Sequence, residues 1–250
     1  MQDNSAAIFI PARLGSTRFP RKVLEPINGK PLIIRVLDRA RELDLCDCYV
    51  ACCCEEVKQV VESYGGTAIV TDPELPSGTD RIYAALKTLE ASGKNPQFVI
   101  NLQGDTPVFD SRILPELLTV LKTNANVDIA TPVVLHKELD EIANKNLVKV
   151  VFDGMDVERP GRAAYFSRSP IPANAPYFYS HIGIYIYRRA ALERFVHLQQ
   201  SFLEKVEKLE QLRAIQAGMN VWAVPTTGMA LSVDVRDDLA PVLSALERGS

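Results

Sequence analysis

The chain of 250 residues sets 28 Lys and Arg against 31 Asp and Glu, a formal net charge of −3. Such a balance argues against nucleic acid as the main partner, because a nucleic-acid binder normally carries a basic surplus. Hydrophobic content of 47% and charged content of 24% are globular values, the length suits one large α/β domain or one with a sizeable insertion, and no apolar run approaches a membrane span.

The predicted elements alternate through the first half. Ala7 to Pro11 reads as a strand, and Pro31 to Leu43 as a helix with proline at its first turn and apolar residues at helical spacing. A short buried strand follows at Cys48 to Cys53, then a helix from Glu55 to Tyr64 closed by Gly65-Gly66. Ala68 to Val70 is a third strand, Asp80 to Ser92 a helix ending at Gly93, Gln97 to Leu102 a fourth strand, and Ser111 to Thr123 a helix. This order implies a mostly parallel, helix-covered sheet. From Asp128 onward strands dominate, at Ile129 to Val134, Val148 to Phe152 and His181 to Tyr187. Helices at Arg188 to Val196 and Phe202 to Ala217, a strand near Val221 to Val224 and a last helix from Arg236 complete the chain. The expected organisation is one integrated unit over residues 1–250, with an inserted smaller sheet at about 128–200.

The N-terminus MQDNSAA has neither a basic n-region nor an apolar h-region, so a cytoplasmic protein is expected. All five cysteines fall between Cys46 and Cys54. Zinc ligation would need paired spacing with a second pair or distant histidines, so they read as reduced, mostly buried small hydrophobes.

Three stretches carry chemistry. After the first strand, PARLGSTRFPRK interleaves Arg13, Arg18, Arg21 and Lys22 with Gly15, Ser16 and Thr17. Glycine and small hydroxyl residues let the backbone approach phosphate oxygens, and the cations supply countercharge. The loop follows the first strand of an α/β sheet, where such sheets bind ligands, and matches neither the Walker nor the GxGxxG pattern. It reads as a nucleotide triphosphate loop. The second stretch, Asn101 to Pro107 (NLQGDTP), ends a strand in Gln103-Gly104-Asp105 and brings a carboxylate of the kind Mg²⁺ requires to the same edge. Asp234 in SVDVRDD is the candidate second acid, with a helix N-cap as its other reading. The third, PSGTDR, precedes a helix that Ser77 or Thr79 caps; Ser77 and Gly78 are also placed to read a nucleobase edge.

Taken in order, PARLGSTRFPRK, SGTDR, NLQGDTP, YFSR, HIGIY, LEQLR and VDVRDDL resemble the 3-deoxy-manno-octulosonate (KDO) cytidylyltransferase family from about Ile8 to Leu239. The resemblance implies a Rossmann-like nucleotidyltransferase fold, Mg²⁺-dependent activation of KDO with CTP for lipopolysaccharide biosynthesis, and a homodimer with a smaller sheet closing over the sugar. By the same resemblance, Arg13, Ser16, Thr17, Arg18 and Lys22 form the triphosphate loop. Asp105 and Asp234 hold metal, Gln103 meets the sugar, and Ser77, Gly78 and Arg81 lie near the cytidine. Arg168, His181, Tyr185, Glu210 and Gln211 surround the acid sugar, His181 toward its carboxylate. His136 and His197 lie in no matched block. Lys22, Arg18 and Asp105 are the expected catalytic set, for in-line attack of the anomeric hydroxyl on the α-phosphorus. The chain departs from the family pattern at Arg21, usually glycine; at Cys53, commonly aspartate; at Asp80, more often glutamate; and at TTGMALS before Asp234. Competing readings are a cytidylyltransferase for another acid sugar (8-amino-KDO or a nonulosonate) and a non-catalytic sugar-nucleotide binder, which would be free to lose Lys22, Asp105 and Asp234.

Overall fold

The structure is a computed structural model that describes residues 3–16 and 18–248. The chain divides into two compact units, one of residues 1–111 with 229–250 and one of residues 112–228. The second unit starts before and ends beyond the strand-rich run at 128–200, because a helix on its N-terminal side and a strand on its C-terminal side both pack on its first strand.

In the first unit, β1 (Ala6–Ala12) leads through a loop and a 3₁₀ turn at Lys22–Leu24 to the short pair β2 (Pro26–Ile27) and β3 (Lys30–Pro31). There follow α1 (Leu32–Glu42), β4 (Asp47–Cys52), α2 (Glu55–Ser63), β5 (Ala68–Val70), α3 (Gly78–Ala91), β6 (Phe98–Asn101) and β7 (Val108–Phe109). Strands β6, β1, β4 and β5 pair in that order, all parallel. Burial of nearly every residue of β1 and all of β6 explains their continuous apolar sequences. In α1, Ile33, Val36, Leu37 and Ala40 recur at helical spacing and are buried, while Arg39 and Arg41 sit in the last turn, where the helix dipole favours cations. Ser77 caps α3 by accepting from the Asp80 amide. The chain runs from β1 outward to β4 and β5, then returns to β6 on the other side of β1. That reversal creates a switch point between β1 and β6, where open α/β sheets take their ligands.

The second unit contains α4 (Ile113–Thr123), β8 (Ile129–His136), β9 (Lys149–Phe152), β10 (Gly161–Ser167), β11 (Phe178–His181) and β12 (Tyr185–Arg188), then α5 (Arg189–Val196), α6 (Phe202–Glu207), α7 (Gln211–Gln216) and β13 (Val221–Pro225). Its sheet is mixed and runs β11-β9-β10-β13-β8-β12, with β11 also paired to β8, so the pairings return on themselves. Phe152, Phe166, Phe178 and Tyr179 are buried in this unit.

Besides the short strands β2, β3, β7 and β14, three larger elements differ from the sequence expectation. The run His181 to Tyr187 is two strands rather than one, because the chain kinks at Ile182–Ile184. The Thr131 hydroxyl lies 3.3 Å and 2.7 Å from the Ile182 and Ile184 carbonyls at that kink. The helix expected from Phe202 to Ala217 is broken at Lys208, which adopts a left-handed conformation (φ 55°), so α6 and α7 fold against each other. Strand β10, GRAAYFS, was not anticipated, since its glycine and alanines have little strand propensity; its pairing with β9 and β13 holds it.

The chain then re-enters the first unit through β14 (Ala230–Leu231), a 3₁₀ turn at Arg236–Asp238 and α8 (Leu239–Arg248). Strand β14 pairs antiparallel with β7, and the Val233 amide donates to the Asp105 carbonyl at 2.8 Å. No helix among the described residues is long and apolar enough to cross a membrane.

Candidate active site

The loop after β1 closes on its own backbone. The amides of Ser16 and Arg21 both donate to the Leu14 carbonyl, and Ser16 Oγ accepts from the Phe19 amide. Buried Phe19 anchors the loop and carries the Arg236 guanidinium over its ring at 4.7 Å. The next 3₁₀ turn carries Lys22 inward, with its side chain only 10% exposed. Arg21 sits in the left-handed region (φ 58°, ψ 22°) and forks onto Glu56 at the start of α2. An arginine thus occupies a backbone conformation that favours glycine, at a cost of about 1–2 kcal/mol. Thr17 lies outside the described residues.

Lys22 Nζ donates to Asp105 Oδ2 at 2.7 Å and to Asp234 Oδ1 at 3.5 Å, and Arg18 Nη2 reaches the same Asp234 oxygen at 3.1 Å. Asp234 is therefore not spent on capping. The cap is Asp238, whose carboxylate accepts from the amides of both Asp234 and Val235. Gln103 Nε2 donates to the buried Asn101, tying the strand end to β6. Around these groups lies a cavity of about 380 Å³, lined also by Arg13, Gly15, Ser16, Gly78 and Arg81. Arg13 is exposed and makes no hydrogen bond or ion pair among the described residues, so its charge is left for a ligand.

The segment near the expected cytidine is more committed than its sequence suggests. Ser77 Oγ donates to the Asp80 carboxylate as well as accepting from its amide. Arg81, 1% exposed, donates to Thr71 Oγ1 and to the carbonyls of Asp72 and Pro73. Arg81 thereby shapes the wall of residues 71–73, while Gly78, which also lines the cavity, packs close to the Pro11 ring.

Gly104 has no substitute in this arrangement. A Cβ built there would stand 2.4 Å from the Pro11 carbonyl oxygen, so only glycine lets the Gln103–Asp105 turn lie against the end of β1. Gly15 has nothing within 4 Å of its would-be Cβ, leaving that space for ligand. Gly104→Ala is expected to lower stability by about 1–3 kcal/mol through forced backbone movement, whereas Gly15→Ala should leave the denaturation midpoint unchanged and weaken nucleotide binding. Urea unfolding of both variants beside nucleotide titration checks the pair; equal midpoints would contradict it.

Among the described residues no group of three or more His, Cys, Asp and Glu could hold an ion. Two carboxylates, Asp105 and Asp234, do converge on one cationic atom, Lys22 Nζ. A donor set of two carboxylates beside a phosphate-binding loop fits Mg²⁺, which keeps several waters and takes phosphate oxygens as further ligands.

In the second unit, His181, Tyr185 and Phe166 form a ring cluster, with His181 5.2 Å from Phe166 and 5.3 Å from Tyr185. Glu210 is close enough to Tyr185 to add its charge to the burial that pushes the phenol upward. The buried Gln211 Nε2 has no hydrogen-bond partner among the described residues. Arg168 donates through its backbone amide to Glu207 Oε2, through Nε to the Glu207 carbonyl and through Nη1 to the Lys145 carbonyl. Gln103 belongs to the first unit and lines its cavity.

Three supporting residues escaped the sequence reading. Glu207 also accepts from Ser167 Oγ at 2.7 Å, and fully buried Lys149 donates to the carbonyls of Asn144, Leu147 and Arg168. Neither differs in sequence from an ordinary surface charge. Thr131 is the third: its hydroxyl sits 2.8 Å from His181 Nε2 and has two carbonyls to which its single proton can go. It therefore accepts from Nε2–H, which leaves Nδ1 as the acceptor nitrogen of the ring.

Burial holds the His181 pKa down at about 3, against an unfolded value of about 6.5. The ring is neutral at pH 7, and its Nδ1 suits a hydroxyl donor. Because the folded pKa is depressed, the unfolded chain binds the extra proton. Stability is thus lost as pH falls from about 6.5 toward 3, by up to about 1.4 kcal/mol per unit from this group. His136, also lowered by burial, contributes with the same sign. Unfolding free energies at pH 7 and pH 5 should fall on acidification, and His181→Gln should reduce the slope; an unchanged slope would contradict the assignment.

A family model described as cytidylyltransferase matches residues 7–221. The chain is 43% identical over 239 residues to the 3-deoxy-manno-octulosonate cytidylyltransferase of Paramagnetospirillum magneticum, covering 96% of each protein. It is 40% identical over 248 residues to the enzyme of the same name from Rickettsia bellii, covering 99% of this chain and 98% of the relative. In structure it is similar to a CMP:2-keto-3-deoxy-manno-octonic acid synthetase complexed with CTP, at a TM-score of 0.88 and 35% identity over 98% of this chain and 99% of that one. The parallel sheet, its switch-point cavity and these full-length likenesses agree. The chain belongs to the cytidylyltransferase family, among the 3-deoxy-manno-octulosonate cytidylyltransferases, nucleotidyltransferases of Rossmann-like α/β fold.

Proposed function

We propose that this chain transfers CMP from CTP to the anomeric hydroxyl of KDO, releasing pyrophosphate, with Mg²⁺ held by Asp105 and Asp234. The observation that carries the reading is the convergence of Lys22, Asp105 and Asp234, from three distant parts of the chain, in the cavity behind the phosphate loop. Full-length relatives named for this reaction, and a similar structure complexed with CTP, support donor and acceptor.

Arg13, Ser16 and the loop amides receive the triphosphate, and Gly15 leaves room for its close approach. Lys22, largely removed from water, offsets charge growing on the oxygens of the transferring phosphoryl group, and Arg18 acts at the exposed rim. When bound, the metal supplies charge neutralisation across the triphosphate and makes the α-phosphorus more electrophilic. The sugar hydroxyl attacks in line, and no side chain is needed as a covalent nucleophile. In the second unit the Gln211 amide, which has no hydrogen-bond partner among the described residues, and Nδ1 of His181 offer a donor and an acceptor to sugar hydroxyls. The product is a nucleotide-activated acid sugar for lipopolysaccharide assembly, made by a cytoplasmic homodimer in which the second unit carries the sugar and dimer contacts.

Incubation with CTP, Mg²⁺ and KDO, following pyrophosphate, tests this reading. Release with CTP alone among the nucleotides, abolished by EDTA, is the expected result. Release only with 8-amino-KDO or sialic acid would move the acceptor, and CTP binding without turnover on any acceptor would overturn the enzymatic reading.

A further inference from the structure

The five cysteines do not share one environment. Burial pushes the thiols of Cys46 and Cys48 up to about 12 and that of Cys52 to about 11, which leaves them inert. Burial raises the Cys53 thiol as well, and Cys48 is half-buried too, so Cys53 and Cys54 stand apart by position. Both are half-buried, they follow β4 at the carboxyl edge of the sheet, and Cys54 is the N-cap residue of α2. Their sulfurs lie 3.7 Å apart on the same side of the chain. At that separation a small side-chain rotation brings both sulfurs onto one soft centre.

The pair also touches the nucleotide loop. The Cys53 amide donates to the Ala12 carbonyl at 3.1 Å, and the Leu14 backbone amide lies against the Cys53 thiol. Because no third His, Cys, Asp or Glu joins the pair among the described residues, a tetrahedral structural zinc site is not formed. The ligand that suits it is a soft centre that needs two protein sulfurs and brings its own third substituent.

We propose that Cys53 and Cys54 form a dithiol receptor for soft trivalent electrophiles of the organoarsenical class, and that its occupation disables the adjoining phosphate loop. In the reaction R–As=O + 2 Cys–SH → R–As(S–Cys)₂ + H₂O, two As–S bonds form and the arsenic–oxygen bond breaks. Both thiol protons leave with that oxygen as water, and arsenic remains trivalent. A bound aryl-arsenic group displaces the Leu14 contact and presses on residues 12–16, whose backbone the triphosphate needs. The first half of the proposal is independent of function; the second rests on reading that loop as the CTP site.

Phenylarsine oxide is the probe. Intact mass should show one arsenical per chain with loss of water, removed by 2,3-dimercaptopropanol but not by a monothiol. Cys53→Ser and Cys54→Ser should each abolish the stable adduct while keeping parental CTP binding. The adduct should weaken CTP binding by at least about tenfold, read by calorimetry without any sugar acceptor. Equal labelling of the double serine variant, or labelling only after unfolding, would overturn the receptor. A stable adduct with unchanged CTP affinity would overturn the coupling to the loop. If CTP does not bind the unlabelled protein, the CTP-site reading fails and not the receptor.

Discussion

Replacing Lys22 by alanine should lower turnover by about a hundredfold or more, the range seen when a preorganised electrostatic group is removed from a transition state. That factor corresponds to about 2.7 kcal/mol of activation free energy. Lys22 can deliver it because its side chain is only 10% exposed and its ammonium is held by two carboxylates that come from other parts of the chain. Position and charge are therefore fixed before substrate arrives, and no reorganisation is needed as negative charge moves onto the phosphoryl and pyrophosphate oxygens. Lys22→Arg should not rescue turnover, since a planar fork does not fit where a point charge contacts two oxygens. Steady-state pyrophosphate release checks both variants, with CTP affinity measured separately to divide binding from chemistry. An alanine variant within about threefold of the parent would remove Lys22 from the catalytic set.

Arg213→Met is expected to have the largest effect on stability. Arg213 Nε and Nη2 fork onto the two oxygens of Glu204 at 2.8 Å and 2.6 Å, with both side chains 8% exposed. The guanidinium also stacks over Phe195 at 4.9 Å, and the Ser201 amide completes the Glu204 shell. Removing one partner leaves an uncompensated buried charge, which costs about 3–5 kcal/mol. The same reasoning predicts that Glu204→Met with Arg213→Met recovers most of the loss, because the desolvation penalty of both ions disappears together. Urea denaturation of the single and double variants gives the cycle. A double variant no more stable than Arg213→Met alone would show that packing, and not the charge, holds α6 against α7.

That ion pair also explains why one expected helix is two. The apolar spacing from Phe202 to Ala217 is continuous enough to read as a single helix, and nothing local announces a break at Lys208. The cost of its left-handed backbone is offset by a contact between Glu204 and Arg213 that only the folded chain makes. Strand β10 is a related case: neighbours, and not propensity, hold Gly161–Ser167 extended.

The alternating first half, the parallel sheet and the phosphate loop are legible from the chain's residues, because they depend on hydrophobic period and on residue types within a few positions of each other. The sequence also named Lys22, Asp105 and Asp234 as chemical candidates, through charge and hydroxyl content beside strand ends and through likeness to a family. Tertiary structure alone decided that Asp234 faces Lys22 and is not a cap, since β14 pairing with β7 and the Val233–Asp105 hydrogen bond bring residues more than a hundred positions apart together. It likewise decided that His181 is neutral and offers a lone pair, and that Arg81 is spent on its own loop. Local patterns fix which groups a chain carries, whereas their charge state and free valences depend on burial and on partners that only folding supplies.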